Sequence, residues 1–184
     1  YEMSASLVGS EMCIRDRDLF IEYFNQHPEV KLIIAPHVID ENHLVEIIRK
    51  LKRPYVRYTR ADEKNVRKAD CLIIDCFGLL SSIYRYGEIA YIGGGFGVGI
   101  HNTLEAAVYG IPVIFGPKYQ KFQEAIRLLE AKGGFSIKSY EELKALLDRM
   151  LEDEEFLRES GMNAGLYVTD NAGATDRVLN MINF

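Results

Sequence analysis

The chain has 184 residues, of which 48% are hydrophobic and 27% charged, a balance that suits one globular domain with a real core. Twenty-two basic residues against 27 acidic ones leave a net charge of −5, and that field disfavours nucleic acid as a partner. Three cysteines give no disulfide framework, no apolar run is long enough to span a bilayer, and the start lacks the basic-then-apolar pattern of a signal peptide, so a soluble protein is expected.

Residues 1–17, YEMSASLVGSEMCIRDR, show neither a period of two nor a helical period. The run SLVGSEMCIRDR resembles translated sequencing-adapter read-through, so residues 1–17 are expected to be a non-native or disordered segment and the domain to begin near Asp18. Residues 18–26 read as a helix with Leu19, Phe20, Tyr23 and Phe24 on one face, followed by a strand at 31–35 that ends at Pro36-His37. Asp40 caps a second helix whose apolar positions are Leu44, Ile47, Ile48 and Leu51. A strand is predicted over 55–59, a charged loop over 60–68, and a central parallel strand over 71–75. Cys71 and Cys76 flank that apolar run at a spacing that suits no usual zinc site, so they read as small buried thiols of a reducing compartment, and no metal ligands are assigned.

A helix over 78–86 leads to the most informative stretch, IAYIGGGFGVGIHNTLEAAVYGIPVIFGP, at 89–117. Strand 89–92 runs into Gly93, Gly94, Gly95, Gly97 and Gly99, five glycines in seven residues, which let backbone N–H groups approach something closely. Asn102 or Thr103 caps the helix behind the loop, and Glu105 stands in its first turn. A helix N-terminus favours an anion such as phosphate, and a carboxylate there accepts two ribose hydroxyls at once. Gly110 closes the helix and Pro112 opens the next strand. A helix over 119–132 with Phe122, Ile126 and Leu129 inward ends at Gly133-Gly134, before a short edge strand at 135–137. Ser139 and Glu142 form a capping box for a helix running to Leu151, and helices over 154–162 and 175–182 close the chain.

Strands alternating with helices define an α/β fold, a doubly wound parallel Rossmann-like sheet. Such a unit opens on a strand that lies mid-sheet, whereas this chain opens on a helix, so the first strand is expected to be missing; residues 5–10, which end in Gly-Ser, are the one candidate for its slot.

The run from Gly93 to Ala125 resembles the donor-binding half of a GT-B-type glycosyltransferase, and more closely the 3-deoxy-D-manno-octulosonic acid (Kdo) transferases. Their Gly-Gly loop, His-Asn-x-Leu-Glu-Ala-Ala, Ile-Pro-Val and Gly-Pro stand here in order at 93–94, 101–107, 111–113 and 116–117, and the likeness extends from about Asp18 to the C-terminus. The resemblance implies a nucleotide-sugar-binding domain over 18–184, the C-terminal half of a GT-B fold, that binds CMP-Kdo. Kdo would pass with inversion to a lipid A precursor at the cytoplasmic face of the inner membrane, with no cofactor.

The resemblance further implies that Glu105 holds the donor ribose, that His101 contacts phosphate or sugar acid, that Asn102 and Thr103 steady the loop formed by Gly93, Gly94 and Gly95, and that Lys118 and Glu124 face the donor sugar. The family's Pro-Arg-His is Ala35-Pro36-His37 here, leaving Pro36 and His37 to recognise base or phosphate without the arginine; its Gly-Glu after strand three is Gly78-Leu79. The general base and the membrane anchor are expected in an N-terminal, acceptor-binding domain, leaving this fragment with little activity alone. Two other readings are a GT-B enzyme that uses a UDP-sugar, such as an N-acetylglucosaminyltransferase or a UDP-sugar 2-epimerase, and a nucleotide-binding module without chemistry.

Overall fold

The computed structural model describes residues 6–11 and 14–172. Seven strands form one parallel sheet in the order β3-β4-β2-β1-β5-β6-β7, with β1 at Ser6–Glu11, β2 at Lys31–Pro36, β3 at Tyr55–Arg57, β4 at Cys71–Ile73, β5 at Ile89–Ile92, β6 at Val113–Phe115 and β7 at Gly134–Ser136. The period-2 alternation of each strand sorts its side chains to opposite faces. Leu7, Leu32, Ile34, Cys71, Ile73, Ile89, Tyr91 and Ile114 enter one core. Val8, Ala35, Ile74, Ala90, Ile92, Val113 and Phe115 enter the other.

Helices cover both faces, as parallel strands buried on two sides require. On the first face lie α1 (Ile14–Gln26), α2 (Glu41–Lys50) and α7 (Tyr140–Glu152), which supply Phe20, Phe24, Leu44, Ile47, Leu143 and Leu147. On the second lie α4 (Leu80–Ile83), α5 (Leu104–Ala107), α6 (Gln123–Glu130) and α8 (Glu154–Asn171), which supply Ile83, Ala106, Ala107, Ala125, Leu128 and Ala164. Each fully buried leucine, isoleucine or phenylalanine among them contributes about 1.5–3 kcal/mol of transfer free energy, and each alanine less.

The slot of the first strand, expected to be missing, is filled by the candidate that the sequence offers for it. Strand β1 fills the central slot, with Leu7 opposite Leu32 of β2 and Ile89 of β5. What the slot demands is modest: apolar side chains to both cores and a small residue where α1 presses down. Leu7 and Val8 are 2% and 0% exposed, and a Cβ on Gly9 would stand 2.9 Å from the Phe20 ring. LVG meets those demands whatever its origin. The helix behind it begins at Ile14 rather than Asp18, so the part of 1–17 expected to be disordered is strand and helix over 6–11 and 14–17.

Local boundaries shift for identifiable reasons. Strand β3 stops at Arg57 because the chain turns into a 3₁₀ turn, Tyr58–Arg60, that brings Thr59 onto the Asp75 carboxylate. The loop expected over 60–68 contains α3 (Glu63–Val66), started by an Asp62–Asn65 capping box. Strand β4 is interior, between β3 and β2, but ends at Ile73. The helix expected over 78–86 is one α-turn followed by a 3₁₀ turn, Tyr84–Tyr86. In α6 the buried positions are Ala125 and Leu128, while Phe122 and Leu129 pack at the rim of that core. Ser139 caps α7 through the Glu142 N–H, but the Glu142 carboxylate accepts from Lys138 N–H instead of closing the box. Helix α8 runs unbroken to Asn171, past the expected end at 162, and the helix expected over 175–182 lies outside the described residues.

Candidate nucleotide-sugar site

The carboxyl ends of β2 and β4 and the loop behind β5 enclose a cavity of about 260 Å³. This is the edge at which parallel α/β sheets bind ligands, because the strands end there and the crossovers diverge. From the β2 side come Ala35, Pro36, His37 and Ile39; from the β4 side come Ile74, Cys76, Phe77, Gly78, Leu80 and Tyr84; from the loop behind β5 come His101, Asn102 and Glu105. Two walls are thus mostly apolar and one carries the polar groups, the usual division in a ligand pocket.

The polar wall is built by local chemistry. Asn102 Oδ1 accepts from Leu104 N–H at 3.0 Å and so caps α5, while its amide donates to Glu105 Oε1 at 3.1 Å. The cap therefore also aims the carboxylate. His101 is held by its own backbone N–H, which donates to the Gly93 carbonyl at 3.2 Å. Its ring lies 5.1 Å, centroid to centroid, from that of His37. Burial and the neighbouring His37 charge push the His101 pKa below the usual histidine value, against the opposing pull of Asp16 and Glu105.

Asp75 anchors the apolar wall. Its side chain, 1% exposed, accepts from Arg57 Nε at 2.8 Å, Thr59 N–H at 2.8 Å and Thr59 Oγ1 at 2.6 Å, and Arg57 also reaches Glu41 at 2.6 Å. Burial raises the Asp75 pKa, but the bonds from Thr59 and Arg57 outweigh it and hold the carboxyl below its ordinary range. The network fixes the chain where it leaves β4, immediately before Cys76 and Phe77.

Five of the expected residues, Pro36, His37, His101, Asn102 and Glu105, share the cavity wall. The rest stand outside it. Gly94 N–H, expected to face an anion, donates to the Asp16 carboxylate at 2.9 Å, and Asp16 also accepts from Tyr91 Oη at 2.8 Å. The loop's glycines are demanded by packing. Gly94 has φ +93°, and a Cβ there would meet the Gly99 carbonyl oxygen at 2.2 Å. A Cβ on Gly95 would lie 2.5 Å from the Gly116 backbone. Gly93 is buried and accepts from His101 N–H.

Thr103 is fully buried, makes no capping bond, and its hydroxyl has no hydrogen-bond partner among the described residues. Lys118 donates from Nζ to Gly97 O at 2.7 Å and from its N–H to Gly95 O at 3.0 Å, which ties the loop to β6. Glu124 lies in the first turn of α6. Where the family motif has glutamate, Leu79 packs on the second core.

Ile39, Cys76, Phe77 and Tyr84 were missed by sequence reasoning. Cys76 and Phe77 lie beyond the end of β4 as His37 lies beyond the end of β2, so the rule that places ligands at strand carboxyl ends could have found them. Cys76 is half-buried, not fully buried as expected, whereas burial at Cys71 pushes its thiol pKa up. Among the described residues no group of three or more His, Cys, Asp or Glu converges as a metal site, and no helix is long and apolar enough to cross a membrane.

With this geometry in place, comparison with known proteins is informative. The chain is 35% identical over 134 residues to the 3-deoxy-D-manno-octulosonic acid transferase of Aquifex aeolicus, a match that covers 72% of this chain and 36% of that protein. By sequence, the chain is a relative of the Kdo transferases. It spans about a third of the length of the curated relatives it matches. No family model matches the chain. In fold it is similar to the C-terminal CMP-Kdo binding domain of WaaA from Acinetobacter baumannii, with a TM-score of 0.77 at 17% identity over 92% of this chain and 91% of that one. It is also similar to Anabaena HepE in complex with UDP, with a TM-score of 0.66 at 13% identity over 98% of this chain and 49% of that one. The α/β architecture is therefore that of GT-B glycosyltransferase domains, shared by a protein seen with UDP.

Proposed function

We propose that this chain is the donor-binding part of a Kdo transferase and that the cavity between β2, β4 and the loop behind β5 receives CMP-Kdo. The observation that carries the proposal is the Glu105 carboxylate, aimed by Asn102 into a mostly apolar cavity in a chain related to Kdo transferases. A carboxylate so placed accepts the two ribose hydroxyls, and the walls around Ile39, Ile74 and Phe77 offer an apolar surface to the base. His37 and His101, side by side on one rim, face the leaving phosphate and stabilise the charge that develops there as the acceptor hydroxyl attacks the anomeric carbon. No residue of this chain is assigned as general base. That role, recognition of a lipid A precursor, and attachment to the cytoplasmic face of the inner membrane are assigned to the remainder of the longer protein, of which the matched relatives have about twice as much again.

Calorimetric titration of the chain with CMP and with UDP tests the reading. Binding of CMP in preference to UDP, weakened by Glu105→Ala, is the expected result. A preference for UDP would move the chain to a UDP-sugar enzyme, and no binding of either by a folded chain would overturn the site.

A further inference from the structure

The cavity poses an electrostatic problem. Its proposed ligand carries a phosphate, yet none of the described residues that line it is lysine or arginine. Lys118, the one cation among the expected site residues, lies outside the lining and donates from its ammonium to the Gly97 carbonyl. Three of the backbone N–H groups expected to serve an anion are engaged within the fold: Gly94 N–H donates to Asp16, and Gly97 and Gly99 N–H donate to Gly94 O at 2.9 and 3.2 Å. The groups on the wall able to become cationic are His37 and His101, whose rings lie 5.1 Å apart.

Resting on the donor-site reading above, we propose that the cavity takes up its phosphate-bearing ligand together with one or more protons from solvent, carried by the His37–His101 pair. In the empty site partial burial of His101, and after it the neighbouring His37, disfavour the protonated His101 ring. Asp16 from the start of α1 and Glu105 from α5 pull the other way; Cys76 and Tyr84 line the same cavity from the β4 side. A phosphate set against the rings reverses the balance, because each protonated ring then donates a charge-assisted hydrogen bond to it.

The sign follows from linkage. The ligand raises the histidine pKa values, so binding is tightest below their values in the empty site. It is progressively lost as pH rises through their values in the complex. A single linked proton weakens binding by up to about tenfold per pH unit in that window. The second pKa of the CMP phosphomonoester lies at about 6, so it is about nine-tenths dianionic at pH 7 and its own titration contributes little from there to pH 8.5.

The test is calorimetric titration of the full chain with CMP at pH 7.5 in two buffers of different ionisation enthalpy, repeated from pH 7 to 8.5. Expected are net proton uptake, weaker binding at each higher pH, and no uptake for cytidine, which lacks the phosphate. His37→Gln and His101→Gln, each shown folded by thermal melting, should reduce the uptake, and the double variant should bind weakly with no pH dependence. CMP binding with no uptake and a flat pH profile would overturn the proton coupling and leave the donor site standing. Uptake unchanged in the double variant would overturn the assignment to this pair. No CMP binding at any pH would overturn the donor-site reading and this inference with it.

Discussion

Two regions at the carboxyl edge of the sheet share the same strands and differ in kind. The glycine loop between β5 and α5 is held by contacts within the fold: the N–H groups of Gly97 and Gly99 go to the Gly94 carbonyl, that of Gly94 goes to Asp16, Gly94 and Gly95 press on backbone, and Lys118 ties the loop down. The wall formed by His37, Cys76, Phe77 and Glu105 is open to a cavity. The lesson is that a glycine-rich loop can be a scaffold for a binding site without being its contact surface. Here the loop carries His101, Asn102 and Glu105 on its far end and holds them in place.

That contrast predicts that the loop fails as structure and the wall as function. The largest effect is expected for Gly95→Ala. Its methyl group would be driven into the Gly116 backbone, which cannot yield as a flexible side chain would, so unfolding in urea should show a loss of more than about 3 kcal/mol. A loss under 1 kcal/mol would show that the loop is looser than its packing indicates.

Next is Asp75→Asn, which strips the charge that pairs with Arg57 at the root of the apolar wall. A cost of about 2–3 kcal/mol is expected at pH 7. The Asp75 carboxyl is held below its ordinary range in the fold, so its contribution is complete above the unfolded value near pH 4 and is lost as pH falls through the lower folded value. The gap in urea midpoint between wild type and variant should therefore be constant from pH 7 to about pH 5 and narrow below about pH 4; a gap that persists in acid would assign the effect to packing.

Glu105→Ala belongs to the open region and should separate binding from folding. Loss of a charged acceptor predicts CMP binding weaker by about 10–100-fold, with a stability change under about 1 kcal/mol. Equal damage to both would merge the two regions. The smallest effect is expected for Thr103→Val. Its buried hydroxyl has no partner among the described residues, so an isosteric methyl should leave the melting temperature within a few degrees of wild type or raise it. A large drop would reveal a bond to that hydroxyl.

Much of the site was legible because its polar groups are local. His101, Asn102 and Glu105 lie within five residues, and the Asn102 cap that orients Glu105 is a bond across three positions. Pro36 and His37 were named from their place at the end of a strand together with the family's Pro-Arg-His. What stayed hidden was assembled from distant segments. Cys76, Phe77 and Tyr84 join the wall only once β4 lies beside β2, and Asp16 reaches Gly94 across 78 positions. The binding role expected of Gly93–Gly95 rested on the run of glycines, on the helix N-terminus behind it and on the family resemblance, none of which says whether backbone or ligand presses on a glycine.

The sequence by itself determined the alternation of strands and helices, the caps at Asp40, Asn102 and Ser139, and the relationship to Kdo transferases, because each is a pattern of neighbours along the chain. The tertiary structure decided that Ser6–Glu11 occupies the middle of the sheet, that the glycine loop is tied to α1, and that two histidines 64 residues apart in the chain stand 5.1 Å apart on one cavity rim. Those outcomes depend on which surfaces meet when the chain closes, and hydrophobic burial selects meeting surfaces by shape and area rather than by position in the sequence.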